Sequence, residues 1–295
     1  MRVDALCQGW SVNTDSAVVL SALNPQVAHQ YLCDSVGSPQ SIAPLPRVCA
    51  ELAQLTAQQA TDAAQLARLI QSDAALAGEI MRVANSPVLR PRTAIVSLQQ
   101  AVSWLGVAEV RNIAMAVMLR GEVFVAPGHE PQSEELWREA WLAGLWAKEI
   151  ARERRKHVES AFLAALMHRT GAALAVKILS RFESEQRTVV DARTFGELVV
   201  EFEPAFGRLL MKGWLLPTDV QDAAIDWRSY RESKHSDLAG TVHAAHLLAT
   251  HTLHPQLLDE ELVVENEVFE QLGVFPDDRR RMVAKRDHVR GLAGI

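Results

Sequence analysis

The residues in this 295-residue chain best suited to chemistry are its ten histidines, because imidazole can ligate a metal or move a proton near neutral pH. His243 and His246 stand three apart, so a helix puts both on one face, and His251 and His254 repeat the spacing just beyond. A metal could use such a pair, but no nearby Cys or Asp obviously completes a ligand set. His251 and His254 also suit the end of a helix, where an imidazole can cap carbonyls. His168 closes the apolar run Phe162-Leu163-Ala164-Ala165-Leu166-Met167 and is followed by Arg169-Thr170-Gly171. By residue type alone, a single histidine on an apolar helix reads as a satisfied core residue. The short signatures of other sites are missing: there is no Gly-x-Gly-x-x-Gly, Gly-Lys-Ser/Thr, His-Glu-x-x-His or Gly-x-Ser-x-Gly.

Composition narrows the classes further. Thirty Lys and Arg against 36 Asp and Glu give a net charge of −6, which argues against a protein that coats nucleic acid generally. Cys7, Cys33 and Cys49 are an odd number with no Cys-x-x-Cys, which fits a reducing cytoplasm. The dense apolar stretches, such as 113–119, are about two turns long, short of the roughly 20 residues that cross a bilayer. The start, MRVDALCQGW, lacks a basic segment leading into an apolar one, so a cytoplasmic location is expected.

The elements that must position these residues are helical throughout, and the fold class expected is all-α, a compact two-lobed helical bundle. After 42–46, where Pro44 and Pro46 disfavour helix, a helix is expected to bury Val48, Leu52 and Leu55. Thr61 or Asp62 can cap the next, with Leu66, Leu69 and Ile70 inward, and Ser72 or Asp73 another, with Leu76, Ile80 and Val83. Ser97 caps a helix to Leu105 that ends at Gly106, and a further helix buries Val110, Ile113, Ala114 and Val117. The stretch 126–131, with two prolines and a glycine, is the best internal boundary. Beyond it Trp137, Trp141 and Leu145 recur four apart, as a core face does. The run Arg152-Glu153-Arg154-Arg155-Lys156 is expected to be a solvated last turn. Further helices are expected near 161–167, 174–179, 195–202, 218–225 and 238–250. In the last region an acidic block (Asp259, Glu260, Glu261, Glu265, Glu267, Glu270) precedes a basic one (Arg279, Arg280, Arg281, Lys285, Arg286), and mutual pairing or a solvated tail is expected. The domain reading is 1–41 an N-terminal helical extension, 42–125 one lobe, 126–250 a second lobe and 251–295 a C-terminal helical tail.

Four segments together carry a resemblance. Ile42-Ala43-Pro44-Leu45-Pro46 is similar to an "LPPLP" opening. Ile70-Gln71-Ser72-Asp73-Ala74-Ala75-Leu76 through Arg82-Val83-Ala84-Asn85-Ser86, then Ser97-Leu98-Gln99-Gln100-Ala101-Val102 and Leu105-Gly106, resembles "I..DP.L...LLR.ANS" and "SL..AI..LG". Ala161-Phe162-Leu163-Ala164-Ala165-Leu166-Met167-His168 resembles "AF.AGLLHDIG", and Trp214-Leu215-Leu216-Pro217 a later Trp-x-Leu-Pro. Over roughly residues 42–250 the chain resembles the HDOD domain family, bacterial relatives of the HD metal-dependent phosphohydrolases.

The resemblance implies a histidine–aspartate pair binding a divalent metal in the catalytic relatives, and here the chain departs from it. Arg169 stands at the aspartate position and cannot donate a lone pair. Phe202-Glu203-Pro204-Ala205-Phe206-Gly207 offers no counterpart to a further family histidine. A later His-His falls near Trp227-Arg228-Ser229, and His246 stands where an aspartate is frequent. No catalytic residue, metal ligand set or cofactor is therefore expected. The expected function is that of a non-catalytic regulatory or scaffold protein in bacterial signal transduction, acting through contacts with partner signalling proteins; the first surface to consider is a vestigial cleft between the lobes near His168, Arg169, Glu203 and Arg228. Three readings compete: a metal-dependent phosphohydrolase built on His168, His243 and His246; a DNA-binding helix-turn-helix at 62–84; and a nucleotide sensor in which Arg169 holds a phosphate instead of a neighbouring carboxylate. The apolar excess on some helices also allows a homodimer.

Overall fold

The computed structural model describes residues 25–38, 63–71, 73–86, 89, 91, 93–214 and 216–294. The proline-rich opening at 42–46, the helix expected to carry Val48, Leu52 and Leu55, and Cys7 and Cys49 lie outside them. Among the described residues there is no strand, and the chain is all-α as expected. The helices are α1 (Pro25–Val36), α2 (Ala63–Gln71), α3 (Ala74–Ala84), α4 (Leu98–Leu105), α5 (Val107–Glu122), α6 (Glu130–Glu153), α7 (Val158–Met167) and α8 (Thr170–Gln186). After them come α9 (Ala192–Gly213), α10 (Thr218–Ile225), a 3-10 turn (Asp226–Ser229), α11 (Ser236–Leu253), α12 (Glu260–Val264), α13 (Glu267–Gln271), α14 (Pro276–Val283) and α15 (Arg286–Ala293).

Local chemistry accounts for the starts and stops. The Asp73 carboxylate accepts from the Leu76 amide at 3.0 Å and the Ser97 hydroxyl from the Gln100 amide at 3.2 Å, which satisfies orphan donors of α3 and α4. Asn85 ends α3 and does more. Its side-chain oxygen accepts from the Ile95 amide and its amide nitrogen donates to the Ile95 and Met81 carbonyls, so one side chain pins Ile95 against the helix end. Gly106, at φ +83°, lets α4 turn into α5 through 111°.

The apolar residues fall into two cores. Leu66, Ile70, Leu76, Ile80, Val83, Val102, Val110 and Ile113 build the first. The second takes faces of α6–α11 and of the shorter C-terminal helices α12–α15. Helix α5 serves both: Val110, Ile113 and Ala114 belong to the first core, whereas Ala116 and Leu119, one turn on, belong to the second. Trp137 and Trp141 are core residues as their spacing predicts, stacked at 5.9 Å, and the buried Trp146 donates to the Thr252 hydroxyl at 3.0 Å.

Several expectations are corrected. The helix read over 195–202 runs on to Gly213 through Pro204, because Phe206, Leu210 and Met211 are buried and their packing outweighs one lost backbone hydrogen bond. The stretch Val158–Gln186 does reach membrane-crossing length and apolarity across α7 and α8, but 89% of its apolar window is buried inside the protein, as a core helix is. Arg154 is not a solvated side chain. It reaches the Asp237 carboxylate, the Thr241 hydroxyl and, at 2.8 Å, the Leu272 carbonyl. No pair joins the C-terminal acidic and basic blocks among the described residues. Lys285 reaches Glu149 on α6, and Arg279 is buried with its guanidinium on the Val264 and Val274 carbonyls. Val263, Val268, Phe269, Met282 and Val289 carry the C-terminal helices into the second core. At the other end, Ala28 and Leu32 of α1 join the same core.

Candidate functional site

His168 and Arg169 occupy the corner between α7 and α8, a break of two residues closed by the Thr170 hydroxyl on the Met167 carbonyl at 2.7 Å. Gly171 explains why α9 can lie so close. A Cβ there would sit 1.9 Å from the Glu203 carbonyl oxygen, so only glycine permits this crossing. The close approach places the side chain of Glu203, on α9, beside Arg169. Glu139 arrives from α6, Arg228 from the 3-10 turn, and His243 and His246 from α11.

The charged groups form a chain. Arg169 Nε donates to Glu139 at 2.9 Å and its Nη1 to Glu203 Oε1 at 2.6 Å. The other oxygen of Glu203 accepts from Arg228 Nη1 at 2.5 Å. Two guanidinium groups and two carboxylates balance to zero, which is what makes burial of so much charge tolerable. Burial, with the Glu135 and Glu203 charges, raises the Glu139 carboxyl against the opposing pull of Arg169. Burial alone would lower Arg169, but Glu203 and Glu139 hold it above its ordinary value. Arg228 is the member that reaches solvent, with about a third of its side chain exposed (36%) and its guanidinium 4.1 Å from the Trp227 ring centre.

The histidines lie on the other side of Arg169 around Trp227. His168 Nε2 is 3.2 Å from His246 Nδ1, and His168 Nδ1 is 2.5 Å from the Ala165 carbonyl. Since a carbonyl only accepts, His168 carries its proton on Nδ1, and His246 Nδ1 donates to His168 Nε2. His243 Nδ1 donates to the Trp227 carbonyl at 3.0 Å. Burial first, and then the Arg169 charge, holds His168 well below the usual imidazole range. Burial, His168 and Arg169 do the same for His246. All this describes neutral imidazoles in a cationic neighbourhood.

A divalent cation does not fit this donor set. Both ring nitrogens of His168 are engaged, a permanent positive charge stands next to it, and both nearby carboxylates are held by arginines. Among the described residues no three His, Cys, Asp or Glu side chains converge as metal ligands would.

A family model of the HDOD domain matches residues 42–228. The chain belongs to the HDOD family. Solved structures with the same fold include a Shewanella amazonensis protein whose name proposes a metal-dependent phosphohydrolase, at 19% identity, TM-score 0.68, covering 91% of this chain and 99% of that one. An HDOD domain protein of unknown function from Geobacter sulfurreducens matches at 16% identity, TM-score 0.66, over 91% and 99%. A Marinobacter aquaeolei protein whose name proposes signal transduction matches at 19%, TM-score 0.64, over 98% and 68%. No curated protein matches.

In this HDOD protein His168, Arg169, Glu203 and Arg228 all come together, but inside the second core and not in a cleft between the lobes. Three of them, His168, Arg169 and Glu203, are buried, and the charges of Arg169, Glu203 and Arg228 are satisfied together with Glu139. Sequence reasoning missed Glu139. The available signal is its place between Trp137 and Trp141 on a helix buried on nearly every side, where a lone carboxylate needs a cation. His251 and His254 bind no common partner: His251 meets the Leu258 carbonyl and His254 the Glu135 carboxylate. The helix–break–helix of α2 and α3 is present, with Leu76, Ile80, Val83 and Ala84 buried, so the outer face of α3 offers Ala74, Gly78 and Arg82, the last paired with Glu79.

Proposed function

We propose that this chain is a non-catalytic regulatory protein of bacterial signal transduction, acting through contacts with partner proteins. The observation that carries the proposal is the Arg169 guanidinium held between Glu139 and Glu203. A hydrolase would need a cation-binding pair at the position the guanidinium fills, and water activation needs a metal or a base with free lone pairs. The hydrolase reading built on His168, His243 and His246 meets imidazoles already committed to Ala165, Trp227 and one another. The phosphate-sensing reading meets an Arg169 whose charge is already matched by two buried carboxylates. For DNA, α3 presents one arginine, already paired, where a recognition helix needs several polar and basic groups. The exposed free thiol of Cys33 supports a reducing, cytoplasmic setting for the same role.

Elemental analysis of protein purified without metal-affinity steps tests the proposal. Transition metal well below one per chain is expected. A stoichiometric metal overturns it and makes phosphoester hydrolysis the leading function.

A further inference from the structure

A cavity of about 320 Å³ lies where the two cores meet and neither fills the space. Val83, Leu105 and Ile113 face it from the first core, and Trp141, Leu145 and Leu292 from the second. Trp104 stands at its edge, 52% exposed, which is unusual for so large an apolar ring. Cavities of this size and lining hold small ligands in other proteins, oriented by a few polar groups.

The polar groups here have an imbalance. Lys148, 5% exposed, lines the cavity and donates to Glu109 across the junction between cores, with the Phe162 ring 5.4 Å from its ammonium. An ammonium has three N–H donors, and among the described residues Glu109 is the one acceptor it finds. Further along the wall, Glu149 is shared by Arg152 and Lys285. On the lining itself Lys148 and Arg152 face Glu109 and Glu149, and Lys285 meets Glu149 from outside the cavity, so what a ligand would meet is the pair of spare donors on the buried Lys148 beside an apolar, tryptophan-walled space. A buried cation with spare donors is stabilised by an anion that brings acceptors.

We propose that this cavity binds a small, flat, apolar monocarboxylate, its carboxylate on Lys148 and its ring system between Trp104 and Trp141. This site is independent of the Arg169 cluster, and it couples the ligand to both cores.

Isothermal titration of the full chain with 1-naphthylacetate, and with the neutral 1-naphthylethanol, tests the proposal. One saturable site per chain is expected, with the acid bound at least about tenfold more tightly than the alcohol, as one charge-assisted hydrogen bond supplies. Lys148→Met removes that preference. Trp104→Ala, at a half-exposed position outside both cores, weakens both compounds and decides the matter should Lys148→Met fail to fold. No saturable binding of the acid, equal affinity for acid and alcohol, or unchanged binding by Trp104→Ala overturns the proposal.

Discussion

Arg169 Nη1 and Glu203 Oε1 lie 2.6 Å apart, and the two side chains are 7% and 5% exposed. The same guanidinium also holds Glu139, so removing it strands two buried carboxylates, whereas Arg228 holds one carboxylate from a partly exposed position. Arg169→Met is expected to cost about 3–5 kcal/mol of unfolding free energy, and Arg228→Met about 1–2 kcal/mol. Urea denaturation of both variants checks the order. Equal losses would mean that Arg169 is not the centre of the network.

Acid is expected to destabilise the protein through His168, His246 and His243. Each is held below its ordinary value of 6.5 chiefly by burial, so it stays neutral in the folded protein where the unfolded chain takes up a proton. Their contribution is complete above about pH 6.5 and is lost as pH falls below it, by up to about 1.4 kcal/mol per pH unit for each. Glu139, raised in the folded protein, acts in the opposite sense over its own range. His246→Gln isolates one imidazole: its stability, followed from pH 7 to pH 5, should fall less steeply than that of the wild type. Parallel profiles would sink the assignment.

Glycine-to-alanine substitutions are expected to have opposite signs at two positions. At Gly171 the new Cβ would meet the Glu203 backbone at 1.9 Å and force α8 from α9, a loss of about 3 kcal/mol. At Gly78, in the middle of α3 with open space around it, alanine should add about 0.5–1 kcal/mol by its helix propensity. Thermal unfolding of the pair of variants reads both signs in one experiment.

Arg279 is expected to anchor the C-terminal helices. Its buried guanidinium closes the Val264 and Val274 carbonyls, so Arg279→Met should leave two acceptors unpaired at a cost of about 2–3 kcal/mol. Arg280→Met, next along but exposed, should change stability by less than about 0.5 kcal/mol. Limited proteolysis that cuts the Arg279→Met protein no faster than the wild type within 260–294 would contradict the anchoring role.

The helices were largely legible because apolar spacing and caps are local. Ser97 and Asp73 cap where their sequence context says they should, and the Trp137–Trp141 face is where the four-residue interval puts it. His168, Arg169, Glu203 and Arg228 could be gathered through the motif positions they occupy or replace. Glu139, Lys148 and Arg154 were not legible in the same way. Glu139 and Lys148 sit in α6 and Arg154 caps its end, and each finds a partner from 30 to 118 residues away, set by how helices cross. Arg279 shows the same limit: its neighbours in sequence suggest a charged tail, while its partners are carbonyls of preceding turns.

Helix α5 packs on both cores at once, Ala114 and Val117 on the first and Ala116 and Leu119 on the second. Severing the chain after it, at the tempting proline-containing turn near 127, would therefore not release two independent halves. The downstream piece would lose Ala116, Leu119 and Phe124 and lay bare the Phe124–Trp137 contact. The upstream piece would carry that apolar strip into water. Shuffling of this protein's halves between genes is therefore penalised at the very joint where the sequence looks easiest to cut.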